Sequence, residues 1–197
     1  MCGSGWRQIR IWRRRRERDA GSGLRDARSR RPAAHSASRV LQQPQGMFDE
    51  LTDLYQQVIL DHCKNPRNFH EMPGATCSAQ GSNPLCGDQL KLFLTMDEDK
   101  IREASFVGSG CCISKASASL LTESVKGKTR AEVQKTFDLV HEMVTTGKVG
   151  GDVGKLAVFA GVHKFPARVK CAILSWHALI AALKGEGKPV STESENL

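Results

Sequence analysis

The first regular pattern of apolar and polar positions along the chain has the period of an α-helix. Its apolar residues recur every three or four positions, at Phe48, Leu51, Leu54, Tyr55, Val58 and Ile59. This spacing predicts an amphipathic helix over residues 48–62. Pro66 ends the pattern, because a proline restricts the residue before it to extended conformations.

The pattern then changes to the two-residue period of β-strands. Residues 89–96 and 101–107 flank the turn sequence DEDK and predict an antiparallel hairpin. Gly108 and Gly110 break the second strand. The segment 111–125 that follows is rich in alanine and serine, and it predicts a helix whose small side chains allow close packing on the sheet.

Helical patterns return in the C-terminal half of the chain. Thr129 and Glu132 have the spacing of a capping box, and Gly147 provides a stop for the helix that it opens. A short apolar helix is expected around residues 156–161, and a last helix over residues 166–184. We therefore expect an α+β fold in which a small antiparallel sheet packs against several helices.

Charge divides the chain into two unequal parts. Residues 1–46 hold 12 arginines, no lysine and 3 acidic residues, a net charge of +9, so the rest of the chain sums to −1. The low content of core residues in 1–46 predicts a disordered extension. An organelle transit peptide, an RNA-contacting arm and a stretch upstream of a true start at Met47 are the three interpretations left open. We expect a folded domain over residues 47–184 and a polar tail over residues 185–197.

Charge and cysteine usage also limit the classes of partner. The folded domain is nearly neutral, so the basic pI does not indicate a nucleic-acid-binding domain. No stretch reaches the roughly 18 uninterrupted apolar residues of a membrane helix, and residues 1–46 contain no secretory apolar core. Seven unevenly spaced cysteines do not form a disulfide framework. We expect a cytoplasmic protein with free thiols and without nucleic-acid or membrane partners.

Four residues from three separate segments have side chains suited to a metal ion. Cys86 and Asp88, separated by one glycine, lie in a predicted turn before a strand. Cys111 follows Gly-x-Gly and opens a helix, where free N–H groups and the helix dipole favour a thiolate. Cys171 lies in the first turns of the last helix. Arg168, three residues earlier on the same face, would place a supporting cation beside the sulfur.

Zinc accepts three thiolates and one carboxylate in a tetrahedral arrangement. On spacing alone, a metal site and a set of unrelated cysteines remain equally open. A buried cysteine usually behaves as a small hydrophobic residue, which we expect for Cys63, Cys77 and Cys112. His62 and His163 are expected to be hydrogen-bonded structural residues rather than ligands. A cysteine hydrolase is the other chemistry considered, but no cysteine has a base and an orienting partner nearby in sequence.

Four longer motifs favour one of these interpretations. They are LYQQVILDHCKNPRNF, NPLCGDQLKL, FVGSGCCISKASASLLTESVKGK and KFPARVKCAILSW. In this order, over about residues 47–184, they resemble the NifU N-terminal/IscU/SufU family of iron–sulfur cluster assembly scaffolds. Three details resemble the SufU branch: Lys170, where IscU-type scaffolds have histidine; the long segment between Cys111 and Cys171, which includes residues 147–163; and the form FPARVKC.

The sequence departs from the family's pattern at two cysteines. Cys111 and Cys112 form a doublet where the family usually has one cysteine. We assign the ligand role to Cys111 because it directly follows Gly-x-Gly, and Cys112 is the alternative. Cys63 occupies an aromatic position of the family's DH-x-KNPRN motif, where we expect it to serve in packing only.

The resemblance implies a SufE/NifU-like fold and a function in iron–sulfur cluster assembly. It implies a zinc ion held by Cys86, Asp88, Cys111 and Cys171. Cys86 would accept persulfide sulfur from a SufS-type, pyridoxal-phosphate-dependent cysteine desulfurase. The protein would then be a sulfurtransferase-like accessory of that enzyme, supplying a downstream iron–sulfur scaffold or apo-proteins. The alternative is a scaffold that binds iron and assembles and transfers an iron–sulfur cluster. The missing histidine before Cys171 favours the zinc-dependent function.

Overall fold

The computed structural model describes residues 46–185 and 189–193. The disorder predicted for residues 1–46 therefore falls outside the described residues, apart from Gly46, where the first helix begins. The elements in chain order are α1 (Gly46–Lys64), β1 (Cys77–Asn83), β2 (Asp88–Asp97), β3 (Lys100–Ser109), α2 (Cys112–Ser124), α3 (Arg130–Thr146), a 3-10 helix (Gly154–Lys164), α4 (Pro166–Lys184) and β4 (Val190–Ser191). The α+β class predicted from the sequence is confirmed.

The helix boundaries follow the local sequence signals. In α3 the Thr129 side chain and the Glu132 side chain each bond the other's backbone N–H, which completes the predicted capping box. Gly147 ends α3 in the left-handed conformation, with φ of 79°. Pro166 begins α4, at a position whose N–H would have no helical partner. The short helix expected around residues 156–161 is present as the longer 3-10 helix.

The sheet has the order β3-β2-β1-β4. The predicted hairpin of β2 and β3 is confirmed, whereas β1 and β4 were not predicted. The sheet is also not purely antiparallel, because the two residues of β4 pair in parallel with β1, opposite Gly81 and Ser82. Residues of the polar tail thus add a fourth strand. The sequence of β1, CSAQGSN, has no β-branched or aromatic residue and lacks the usual strand signal.

Helix α4 lies at the centre of the core, against β1, β2, α2 and α3. A Cβ atom at Gly81 would lie 3.1 Å from Leu174 Cδ1, so the absence of a side chain there lets α4 approach β1 closely. The largest fully buried side chains of the core come from α4 and from the elements around it: Trp176, Phe106, Phe159, Leu92, Leu94, Ile101, Leu120, Leu121, Met143, Leu156, Ile173 and Leu174. Burial of such a side chain contributes about 1.5–3 kcal/mol. The part of α4 that contains Cys171 is therefore anchored in the core.

The outer edge of β3 is bridged by two non-strand segments. Phe69 forms an isolated bridge with Phe106, and Lys100 forms one with Thr129. The backbone N–H of Phe106 donates to Asn68 O at 3.0 Å. Among the described residues, no helix is both long enough and apolar enough to span a membrane.

Candidate metal centre

The turn between β1 and β2 carries the first two predicted ligands. Residues 84–87 form this turn, which is closed by a hydrogen bond from Cys86 N to Asn83 O at 3.2 Å. Gly87 adopts a φ of 68°, which favours glycine. The chain then enters β2 with Asp88 fully buried, whereas Cys86 is half-buried. The turn thus presents one sulfur near the surface and one carboxylate inside the protein.

The start of α2 carries the third predicted ligand. Cys111 is the N-cap residue, and its sulfur accepts a hydrogen bond from Ser114 N at 3.5 Å. Its own backbone N–H donates to Asp88 Oδ1 at 2.7 Å. A Cβ atom at Gly110 would lie only 2.6 Å from the same oxygen. The glycine before Cys111 is therefore what allows the backbone to reach the buried carboxylate.

The start of α4 carries the fourth ligand and the supporting cation. Cys171 is fully buried, and its thiol donates to Ala167 O at 3.5 Å. Arg168 is exposed, and its Nη1 lies 3.8 Å from Cys86 Sγ. A hydrogen bond to Cys171 and the charges of the neighbouring sulfurs raise the pKa of Arg168 above its ordinary value. The structure thus places this guanidinium beside two of the predicted sulfur ligands.

Three of the four predicted ligands converge on one point. The ligand atoms of Cys86, Asp88 and Cys171 all lie within 4.8 Å of one another. Cys111 is outside this group, but its sulfur lies 3.9 Å from Asp88 Oδ2. Tetrahedral zinc, with bonds of about 2.0–2.3 Å, separates its ligand atoms by about 3.5–3.8 Å. The two sulfurs and the carboxylate of Cys86, Cys171 and Asp88 therefore fit zinc after a small contraction, and Cys111 lies within reach of the same carboxylate.

The sulfurs of Cys111 and Cys171 shift each other's pKa in opposite directions. A hydrogen bond from the Cys171 thiol lowers the pKa of Cys111, and the N–H of Ser114 at the helix start acts in the same direction. The same interaction with Cys111, together with burial, raises the pKa of Cys171. The interaction between the two sulfurs thus favours one thiolate and one thiol. A bound cation would replace the thiol proton.

Asn83 belongs to this site and was not predicted. It is fully buried at the end of β1, and its Nδ2 donates to Cys171 Sγ at 3.3 Å and to Asp88 Oδ2 at 3.4 Å. Its Oδ1 has no hydrogen-bond partner among the described residues. Asn83 thus orients two predicted ligands, Asp88 and Cys171, through hydrogen bonds from its side-chain amide. Its place three residues before Cys86, at the start of the turn, was the available sequence signal.

The structure corrects the interpretation of two cysteines. Cys63 and Cys112 form a disulfide, so they are not the isolated small hydrophobic residues that the sequence predicted. They lie at the end of α1 and at the start of α2, and packing of these helices brings their Cα atoms within 5.0 Å. A separation of 49 residues hides this pairing from sequence patterns. The disulfide also occupies Cys112, whereas Cys111 remains a thiol beside Asp88.

The remaining candidates have the structural roles expected of them. Cys77 is a half-buried free cysteine that packs against the core. His62 is buried, and its Nδ1 lies 2.8 Å from Ser119 Oγ. Desolvation by burial lowers its pKa. The Nδ1 of His163 lies 2.6 Å from Ala160 O. Both histidines are hydrogen-bonded, as predicted.

Comparison with known proteins identifies the family. The model of the NifU-like N-terminal domain matches residues 54–172, which include all four predicted ligands. The chain belongs to this family. Proteins named as iron–sulfur cluster assembly scaffolds are among its relatives.

Three similar proteins each match about two thirds or more of the chain. The iron–sulfur cluster assembly scaffold protein IscU of Streptococcus pyogenes serotype M1 is 37% identical over 152 residues, covering 76% of this chain and 95% of that protein. The zinc-dependent sulfurtransferase SufU of Bacillus subtilis is 43% identical over 133 residues, covering 66% and 88%. A crystal structure of a protein proposed to be an iron–sulfur cluster assembly scaffold for the SUF system, from Fervidobacterium islandicum AW-1, superposes with a TM-score of 0.62. It has 33% sequence identity and covers 64% of this chain and 94% of that one.

Proposed function

We propose that this protein is a zinc-dependent sulfur acceptor of the SufU type, which serves a cysteine desulfurase in iron–sulfur cluster assembly. In this proposal Cys86, Asp88, Cys111 and Cys171 hold the zinc ion. Bound zinc would keep the three thiols deprotonated near neutral pH. The donor set of three sulfurs and one oxygen, the 43% identity with a zinc-dependent sulfurtransferase and the presence of Lys170 before the last cysteine support this proposal.

The three sulfurs differ in how firmly the protein holds them, and this difference supports Cys86 as the acceptor. Cys111 is fixed by Ser114 and by the bond of its backbone to Asp88, and Cys171 is buried in the first turns of α4. Cys86 lies in a four-residue turn, and its side chain contacts the exposed guanidinium of Arg168. Cys86 can therefore move outward without displacement of a core helix.

Sulfur transfer to Cys86 requires no oxidant or reductant. The Cys86 thiolate attacks the outer sulfur of a cysteine persulfide on the desulfurase. The donor's S–S bond breaks, its cysteine leaves as a thiolate, and a new S–S bond forms on Cys86. Arg168 would stabilise the anionic sulfur before and after this step. The protein would then act as an accessory sulfurtransferase rather than as an enzyme with its own substrate.

The surface around Cys86 is suited to contact with a protein donor. Leu85, which precedes it in the turn, is 62% exposed, and Phe165, at the start of α4, is 61% exposed. Leu85 adjoins Cys86 and Phe165 lies three residues before Arg168, so both apolar side chains are available for contact with a protein donor. We propose a SufS-type desulfurase as the donor, and an iron–sulfur scaffold or apo-proteins as the recipients.

The acceptor assignment is tested by incubating the protein with a SufS-type desulfurase and free cysteine and locating the added sulfur by mass spectrometry. We expect the persulfide on Cys86 and its loss in Cys86→Ser. Cys77→Ser, a change of a free cysteine outside the group, serves as the matched control. A persulfide that persists in Cys86→Ser would refute the assignment.

Metal analysis of protein purified without added iron separates the two functions within the family. About one zinc per chain supports the sulfur acceptor. Iron together with sulfide instead supports a scaffold that assembles a cluster, because the same four side chains can bind iron.

A further inference from the structure

The disulfide between Cys63 and Cys112 is not used by the proposed function. It joins the two cysteines at which the sequence departs from the family's pattern. Cys112 is exposed and Cys63 is half-buried, so the bond is accessible to solutes. Accessible disulfides are the ones that exchange with thiols in solution.

The disulfide is attached directly to the candidate metal centre. Cys112 is the first residue of α2, and the residue before it is Cys111, whose backbone N–H donates to Asp88 Oδ1 at 2.7 Å. Cys63 lies in the last turn of α1. The disulfide therefore fixes the start of α2 to a neighbouring helix at the point where the chain provides a sulfur ligand.

Hydrogen bonds that join α2 to the end of α1 and to the residues after it lie farther along α2. His62 Nδ1 and the backbone N–H of Arg67 both lie 2.8 Å from Ser119 Oγ, and Asn68 Nδ2 donates to Thr122 at 3.0 Å. Ser119 is about two turns beyond Cys112. Cleavage of the disulfide would leave these bonds intact, so α1 would stay in place while the start of α2 lost its covalent attachment and kept the bond from Cys111 N to Asp88.

We propose that Cys63 and Cys112 form a reversible redox site that fixes or releases the helix start bearing Cys111. In oxidation by a hydroperoxide, the two thiols give up two electrons and two protons, the S–S bond forms, and the O–O bond breaks to yield an alcohol and water. In reduction by a dithiol, the disulfide receives two electrons through thiol–disulfide exchange, and the reductant becomes a disulfide. In a reducing compartment the pair is held as two thiols, and oxidative conditions close it.

The consequence of this redox site concerns metal exchange, and this part rests on the proposed function. When the disulfide is closed, Cys111 is held beside Asp88. When it is open, the helix start is less restrained, and the metal is released more readily. Loss of a group that orients a metal ligand typically weakens metal binding by about 10–100-fold. Because the ligands themselves are unchanged, we expect an effect of about tenfold on the rate of release.

The redox site is tested on the full-length protein without reference to metal. The protein is equilibrated in dithiothreitol buffers of graded potential, alkylated and mapped by mass spectrometry. We expect Cys63 and Cys112 to become protected together as one pair, and Cys112 to remain alkylated at every potential in Cys63→Ser. Alkylation of both cysteines under oxidising conditions would overturn the proposal, as would a bond between Cys112 and Cys111.

Metal release is measured separately, with a chromophoric chelator and zinc-loaded protein. Mapping of the alkylated peptides confirms that Cys86, Cys111 and Cys171 stay reduced. We expect the reduced protein to release zinc about tenfold faster than the oxidised protein. Cys63→Ser should release zinc at the faster rate in both states, and Cys77→Ser should behave as the unaltered protein does.

Equal release rates in the two states would refute the link between the disulfide and the metal centre. The outcome is independent of the acceptor assignment, which the persulfide on Cys86 tests. If the protein binds iron instead of zinc, the alkylation experiment still decides whether the redox site exists.

Discussion

Replacement of Asn83 by alanine should weaken metal binding by about tenfold. Asn83 is fully buried and donates hydrogen bonds to Cys171 Sγ at 3.3 Å and to Asp88 Oδ2 at 3.4 Å. A hydrogen bond to a charged group contributes about 1.5–3 kcal/mol. The bond to Asp88 is longer than usual and therefore weak. Metal binding removes the thiol proton of Cys171, so the bond from Asn83 passes from a neutral to a charged acceptor, and the gain of about 1–1.5 kcal/mol corresponds to about a tenfold change in the dissociation constant.

The stability of the metal-free protein should respond differently. The alanine variant also removes Asn83 Oδ1, a buried oxygen without a partner among the described residues. Removal of a buried polar atom that has no hydrogen-bond partner stabilises the folded protein by about 1–3 kcal/mol. This gain occurs with and without metal, so it offsets the lost bonds in folding but cancels in metal affinity. We expect the free energy of unfolding of the metal-free variant to change by less than about 1 kcal/mol.

The assay is competition for zinc with a chromophoric chelator, with urea unfolding of the metal-free protein in parallel. Gln80→Ala is the matched control, because it removes an exposed amide side chain from the same strand. We expect the control to keep the zinc affinity of the unaltered protein. A dissociation constant for Asn83→Ala equal to that of the control would refute the role of Asn83 as a positioning residue.

Two further predictions concern pH. In the metal-free protein, the pKa of Cys111 is lowered, so its thiolate persists to lower pH than that of an ordinary cysteine. Alkylation mapped by mass spectrometry should therefore modify Cys111 at lower pH in the folded protein than in guanidinium. Identical pH profiles in the two conditions would contradict this prediction. His177 is neutral in the folded state because burial lowers its pKa to about 4, whereas its ordinary value is 6.5. The unfolded chain therefore binds more protons between these values, and stability should fall as the pH falls from about 6.5 to about 4, by about 2 kcal/mol after allowance for solvent screening. Urea unfolding should show this loss in the unaltered protein and a smaller one in His177→Gln; equal losses would exclude His177 as the source.

Sequence predicted the elements whose signals are local. The capping box at Thr129, Pro166 at the start of α4 and the glycine stop at Gly147 each depend on residues within one turn of a helix end. They are therefore visible without knowledge of the rest of the fold. The convergence of Cys86 and Asp88 with Cys171 was anticipated from residue types and from family resemblance, although no local signal joins these positions.

The features that were missed depend on contacts between distant segments. Strand β1 is polar and contains Gly81. The absence of a side chain at Gly81 allows Leu174 of α4 to approach the strand closely. The role of Asn83 depends on the position of Cys171, 88 residues away. Cys63 and Cys112 become partners only when α1 packs on α2. In each case the residue type is explained by tertiary structure, which a pattern of neighbouring residues does not contain.

The two-residue strand β4 has a consequence for self-association. An uncovered strand edge offers unpaired N–H and C=O groups to another chain, which is a common route to aggregation. Val190 and Ser191 cover β1 opposite Gly81 and Ser82, and Thr192 N extends this cover with a bond to Ser82 O at 3.2 Å. Without these residues, the strand that ends at Asn83 would be open to intermolecular pairing. A few residues after the last helix thus cover the end of this edge next to the candidate metal centre and leave less of β1 open to pairing.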